Sequence, residues 1–99
     1  EGIDVVPIEK IVCLQSDKGY TTFYLDDGKK ILVSKVIKVY EGLLPPSQFI
    51  RSHQSYLVNA RYVRKYYKEG VLELTTGERI PVAERRREQV QKWLMRSEN

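Results

Sequence analysis

The sequence predicts a mostly β fold with two short helices, and three observations carry that prediction. Apolar, β-branched and aromatic residues come in runs of four to six separated by turn signals, as strands require. Glycine follows a polar pair in Asp26-Asp27-Gly28, Lys68-Glu69-Gly70 and Thr75-Thr76-Gly77, where a tight hairpin needs positive φ. Only two segments, near 35–42 and 84–95, repeat apolar residues at helical spacing.

In chain order, strands are expected over Val5–Ile8, Lys10–Gln15, Tyr20–Leu25, Lys30–Val33, Phe49–Ser52, Ser55–Val58, Val63–Tyr67, Val71–Leu74 and Arg79–Val82. The three glycine signals join neighbouring runs into three hairpins. Ser34 is placed to cap a helix from Lys35 to Glu41, whose apolar residues are Val36, Ile37 and Tyr40, and Gly42 with Pro45-Pro46 supplies the stop. From Ala83 to about Met95 there is no Gly or Pro, and Val90, Trp93 and Leu94 share one face of a closing helix. Leu25, Gly28, Ile31 and Val33 recur as Leu74, Gly77, Ile80 and Val82 at a constant offset of 49, an echo that one hairpin type used twice explains.

Composition bounds the function. With 41% hydrophobic and 30% charged residues over 99 positions, the chain can bury one modest core, so a single domain over 1–99 is expected, with 1–7 a linker or first strand. The lone Cys13 lies in the apolar run Ile-Val-Cys-Leu and reads as a buried thiol rather than half of an internal disulfide. One Cys and one His cannot supply a four-ligand zinc site of the usual kind, and no cofactor is implied. His53, the only imidazole, has no carboxylate beside it, and no Gly-rich phosphate loop occurs, so the chain is expected not to be an enzyme. No apolar stretch approaches the roughly 20 residues of a membrane span. A cytoplasmic chain without membrane contact is expected.

Charge is unevenly placed. Residues 1–50 hold six Lys and no Arg against seven acids, a net of −1; residues 51–99 hold eight Arg and three Lys against six acids, a net of +5. The excess is therefore C-terminal and mostly guanidinium, whose planar fork of donors suits phosphates and guanine edges. Three consecutive arginines, Arg85 to Arg87, open the last helix, where cations oppose the helix dipole; a polyanionic partner would offset that cost.

The stretch Phe49-Ile50-Arg51-Ser52-His53-Gln54-Ser55-Tyr56-Leu57-Val58-Asn59 resembles the most recognisable segment of the LytTR (LytR/AlgR-type) DNA-binding family of bacterial response regulators. Leu72 to Val82, with Gly at its turn and Ile-Pro-Val at its end, is similar to the family's next element, and Ile11 to Val33 to its opening hairpin. The resemblance implies an elongated stack of small antiparallel sheets that reads the major grooves of double-stranded promoter DNA through loops. It also implies a second copy on repeated sites and an N-terminal receiver domain in a parent two-component regulator.

Residue by residue, the resemblance makes Lys18, Tyr20, Gln54 and Arg85 the base-reading candidates. Gly19 stands where the family places a base-reaching side chain, so Lys18 or Tyr20 substitutes there. Gln54 suits the N6 and N7 pair of adenine, because its amide donates and accepts at once. Ser55, Arg86 and Arg87 are the phosphate candidates, and His53 and Asn59 position loops. Glu84 stands where an Arg commonly reads guanine. Two alternatives stay open on the residues alone: a β-rich module binding a protein or ligand, with an incidental basic face, and single-strand binding on a platform of Tyr56, Tyr62, Tyr66 and Tyr67.

Overall fold

The computed structural model describes residues 5–97. Five strands, β1 (Ile11–Asp17), β2 (Tyr20–Leu25), β3 (Lys30–Val33), β4 (Phe49–His53) and β5 (Tyr56–Asn59), form an antiparallel sheet in the order β3-β2-β1-β5-β4. A second antiparallel sheet is the meander β6 (Val63–Tyr67), β7 (Val71–Leu74) and β8 (Arg79–Pro81). The helices are α1 (Ile37–Glu41) and α2 (Arg87–Ser97), and short 3-10 turns cover Ile8–Lys10, Ala60–Tyr62 and Glu84–Arg86. The molecule is elongated, 44 × 26 × 23 Å.

The large sheet is buried on both faces, and β1 shows how. Ile11 pairs with Leu25 but Cys13 with Tyr24, so one extra residue, Val12, is accommodated in the strand. This bulge breaks the alternation and sends Val12 and Cys13 to one core while Ile11 and Leu14 go to the other. The first core joins Ile50 and Val58 of the large sheet to Leu72, Leu74 and Ile80 of the small one, with Val82 and with Val90 of α2. The second core sets Leu57 and Phe49 against Ile37 of α1. Leu72 and Leu74 have no exposed surface. Each such burial contributes roughly 1.5–3 kcal/mol, and truncation to Ala would cost about 2–5 kcal/mol once the cavity is included.

The three glycine-marked hairpins form, as β2–β3, β6–β7 and β7–β8. Pro81 ends β8 at the sheet edge, where its missing N–H disrupts no ladder. Val90, Trp93 and Leu94 pack on the first core, as their spacing in α2 predicts. Two local expectations fail. Val5–Ile8 is not a strand: Lys10 donates its N–H to the Pro7 carbonyl, closing a 3-10 turn over Ile8–Lys10 instead. Ser34 does not cap α1, which begins at Ile37 after an extended Val36 with no side-chain cap. The Thr21 hydroxyl donates to the Lys35 carbonyl at 2.6 Å, and Thr21 is fully buried, so this segment is tied to the sheet ahead of the helix.

Candidate nucleic-acid interface

Antiparallel pairing brings three segments to one end of the large sheet. The first is the tip between β1 and β2, where Asp17 faces Tyr20 across only Lys18 and Gly19. Both tip residues have positive φ, 51° and 86°, the signature of the primed two-residue turns that match strand twist. Gly19 therefore serves the turn, and its lack of a side chain is what that backbone favours. Lys18 and Tyr20 beside it are exposed.

The second tip, Gln54-Ser55, joins β4 to β5, with His53 opposite Tyr56 and a bulge at Ser52. The Ser55 N–H donates to His53 Nδ1 at 3.0 Å, so this ring nitrogen carries no proton and the donor proton sits on Nε2. Arg51 reaches along its own hairpin: Nε donates to the His53 carbonyl at 3.0 Å and Nη2 to the Gln54 carbonyl at 2.6 Å. The protein thus holds Gln54 by its backbone and leaves its side chain exposed. The Ser16 N–H donates to the Ser55 carbonyl at 2.8 Å, which fixes the second tip against the first.

The third segment follows β8. Ser52, fully buried, anchors it twice: its hydroxyl donates to the Pro81 carbonyl at 3.1 Å, and its carbonyl accepts from the Ala83 N–H at 2.8 Å. Beyond it lies the 3-10 turn Glu84–Arg86, and at about three residues per turn its side chains diverge. Glu84 and Arg85 are exposed. Arg86 is half-buried and donates from Nη1 to the Arg51 carbonyl at 3.2 Å. Arg87 is half-buried too, its guanidinium lying over Gly70 in the β6–β7 turn. The Nε atoms of both are buried without a hydrogen-bond partner.

Away from these segments, Asn59 is buried where β5 ends. Its Nδ2 donates to the Ile11 carbonyl at 2.8 Å and its Oδ1 accepts from the Arg61 N–H at 3.0 Å. It holds β1 and caps the following 3-10 turn, at the opposite end of β5 from Gln54.

The tyrosines do not assemble into a stacking platform. Tyr56, Tyr62 and Tyr66 pack against the first core. Tyr67 lies on the other face of β6, with the Lys65 ammonium and the Arg79 guanidinium 4.9 and 4.8 Å from its ring centre, and its hydroxyl donates to Glu73 at 2.7 Å. That hydrogen bond, together with Arg64, Arg79 and Lys65, lowers the Glu73 pKa. Burial pushes the Cys13 thiol up to about 12, the reverse of a reactive cysteine. Among the described residues, no group of three or more metal-ligating side chains gathers, and no helix is long and apolar enough to cross a membrane.

Arg51, Ser52 and Ser16 also build this edge, although no motif in the sequence marks them for it. Arg51 looks like one more cation of the basic half; its distances of two and three residues from the carbonyls it binds are the only sign of its role. The sequence carries no such sign for the links from Ser52 and Ser16, which depend on strand pairing.

The loops at this end of the β scaffold present the Gln54 amide with the cations of Lys18 and Arg85, all exposed. The chain belongs to the LytTr DNA-binding domain family, whose sequence model matches residues 1–95. A similar solved structure, described as the LytTr DNA-binding domain of a methyl-accepting/DNA response regulator from Bacillus cereus, shares 27% identity. It superposes with a TM-score of 0.82 over 90% of this chain and 84% of its own. No curated protein matches the chain. DNA is therefore its partner, and its family is a binding family, not a catalytic one.

Proposed function

We propose that this chain, as one domain, reads double-stranded DNA sequence-specifically as the cytoplasmic output module of a bacterial transcription regulator. The observation that carries the reading is that the β4–β5 hairpin is bonded on both sides, to Ser16 through the Ser55 carbonyl and to Pro81 and Ala83 through Ser52, which ties the three segments together. Side chains in a fixed row can enter adjacent grooves without reordering cost, and preorganisation of this kind favours affinity. Lys18 and Tyr20 take the first position, Gln54 pairs with an adenine edge, and Arg85 reaches the groove from the third segment. Ser55 bonds a phosphate. Arg86 and Arg87, half-buried, anchor the third segment and add positive potential close to the backbone. Glu84, exposed beside Arg85, accepts from cytosine N4 or repels the backbone, so it selects rather than strengthens.

With few readable side chains, one copy specifies few base pairs. Two copies on a repeated site would multiply that specificity, and a receiver domain elsewhere in the parent protein would control their pairing.

Selection of bound sequences from a random duplex pool tests the reading. A repeated consensus is expected, with affinity falling linearly in log[salt] by several units. Gln54→Ala should cost about 1–3 kcal/mol against the consensus and little against random duplex. Equal affinity for all duplexes, preference for single strands, or salt-insensitive binding would refute it.

A further inference from the structure

We infer that Arg51 is the positioning residue of the DNA-reading edge: its guanidinium sets the tip that presents Gln54, and it contacts no phosphate itself. The inference rests on the reading of Gln54 given above and deepens it.

Three of the five N–H donors of Arg51 are used inside the protein, one from each nitrogen. Nε and Nη2 chelate the carbonyls of His53 and Gln54, and Nη1 pairs with Glu41 Oε1 at 2.5 Å. Its side chain is 14% exposed against 41% for that of Glu41, so Arg51 is the more buried partner of the pair and its charge is balanced by a carboxylate of the same chain. The backbone of Arg51 serves the third segment as well, since its carbonyl accepts from Arg86 Nη1. One residue therefore holds two of the three tips.

The chemistry requires arginine. Two successive carbonyls at a tight turn need two donors diverging from one plane, which the guanidinium fork supplies and a lysine ammonium, a compact point charge, does not. Glu41 ends α1, so the helix is coupled through a single ion pair to the reading tip. A cation that merely attracted DNA would not be arranged in this way.

The test uses the full chain with Arg51→Ala, Arg51→Lys, Glu41→Ala, Gln54→Ala and the Arg51→Ala/Gln54→Ala double variant. Binding to the selected duplex and to a random duplex is measured across salt, beside amide hydrogen exchange of the free proteins. Arg51→Ala should weaken consensus binding tenfold or more, leave random-duplex affinity within twofold and leave the salt slope unchanged. Arg51→Lys should fail to restore the consensus affinity. In the double variant the loss should be close to that of Gln54→Ala alone, because Arg51 acts through Gln54.

Exchange at Ser55, whose N–H is bonded to His53 Nδ1 within the tip, should rise at least tenfold in Arg51→Ala while core amides stay protected. Should Arg51→Ala fail to fold, Glu41→Ala, which removes only the exposed partner, should show the same pattern at two- to fivefold. A salt slope reduced by about one unit with equal loss on both duplexes would make Arg51 a phosphate contact and overturn the inference. Unchanged exchange at Ser55 would overturn it as well. If Gln54→Ala leaves specificity intact, the base-reading role of Gln54 fails separately, and the exchange data alone decide for Arg51.

Discussion

Gly70 and Gly77 offer a matched pair for testing the placement of Arg87. Both have strongly positive φ, 102° and 100°, a region L side chains rarely adopt. An added Cβ at Gly77 meets nothing within 4 Å, whereas at Gly70 it would lie 2.6 Å from Arg87 Nε and 2.8 Å from Nη2. The backbone cost of Ala at positive φ is about 1–2 kcal/mol and falls on both variants alike, as does the lost freedom of the unfolded chain. The difference between them isolates the collision. Overpacking costs about 1–3 kcal/mol, and the group met here is the end of a flexible side chain, so the lower end applies, about 1 kcal/mol.

Gly77→Ala should therefore lose about 1–2 kcal/mol and Gly70→Ala about 2–3. Urea unfolding resolves this, and thermal unfolding should show an extra drop of about 4–8 °C for Gly70→Ala. Arg87→Ala removes the obstacle, so in its background the excess cost should vanish, a coupling of about 1 kcal/mol in a double-mutant cycle. Equal losses for the two glycine variants, or an excess that survives Arg87→Ala, would show that the guanidinium does not rest on Gly70. Arg87 would then be free to reach DNA rather than fasten α2 to the β6–β7 turn.

Two further predictions concern the scaffold. Asn59→Ala deletes both side-chain bonds, the one to the Ile11 carbonyl and the one that caps the 3-10 turn, so it should destabilise by about 2–4 kcal/mol in urea titration, and a loss under 1 kcal/mol would contradict the pairing described. Burial raises the Cys13 thiol from about 9 to about 12, so the folded state keeps a proton that the unfolded chain loses. The stabilisation this gives is complete below pH 9 and disappears as pH rises from 9 to 12. Wild type should lose stability across that window relative to Cys13→Ala, and native Cys13 should resist thiol reagents until the chain unfolds; rapid labelling at neutral pH would count against burial.

Much of the architecture is local in origin and so legible in the residues. The hairpins follow from glycines at positions that need positive φ, and α2 from Val90, Trp93 and Leu94 on one face. Ser34 shows the limit: a sound cap by local rules is overruled because Thr21, fourteen residues away, bonds the Lys35 carbonyl. The bulge at Val12 is equally hidden, since Ile-Val-Cys-Leu reads as a uniform apolar run until two cores compete for it.

The same division runs through the DNA-binding edge. Residue types and their spacing are enough to define a small β-rich module with its positive charge in the second half, and the run from Phe49 to Asn59 pointed to the family. What each arginine does depends on the folded arrangement around it. Of Arg51, Arg85, Arg86 and Arg87, only Arg85 is exposed; Arg51 is turned toward carbonyls of its own hairpin, and Arg86 and Arg87 toward a carbonyl and over a glycine in hairpins that meet only after folding. Formal charge is a property of residue type, but whether a cation faces DNA or its own chain depends on which carbonyls lie within about 3 Å of it. Contacts between residues far apart in the chain set those distances, as Ser52 with Pro81, 29 positions away, and Arg86 with Arg51, 35 positions away, illustrate.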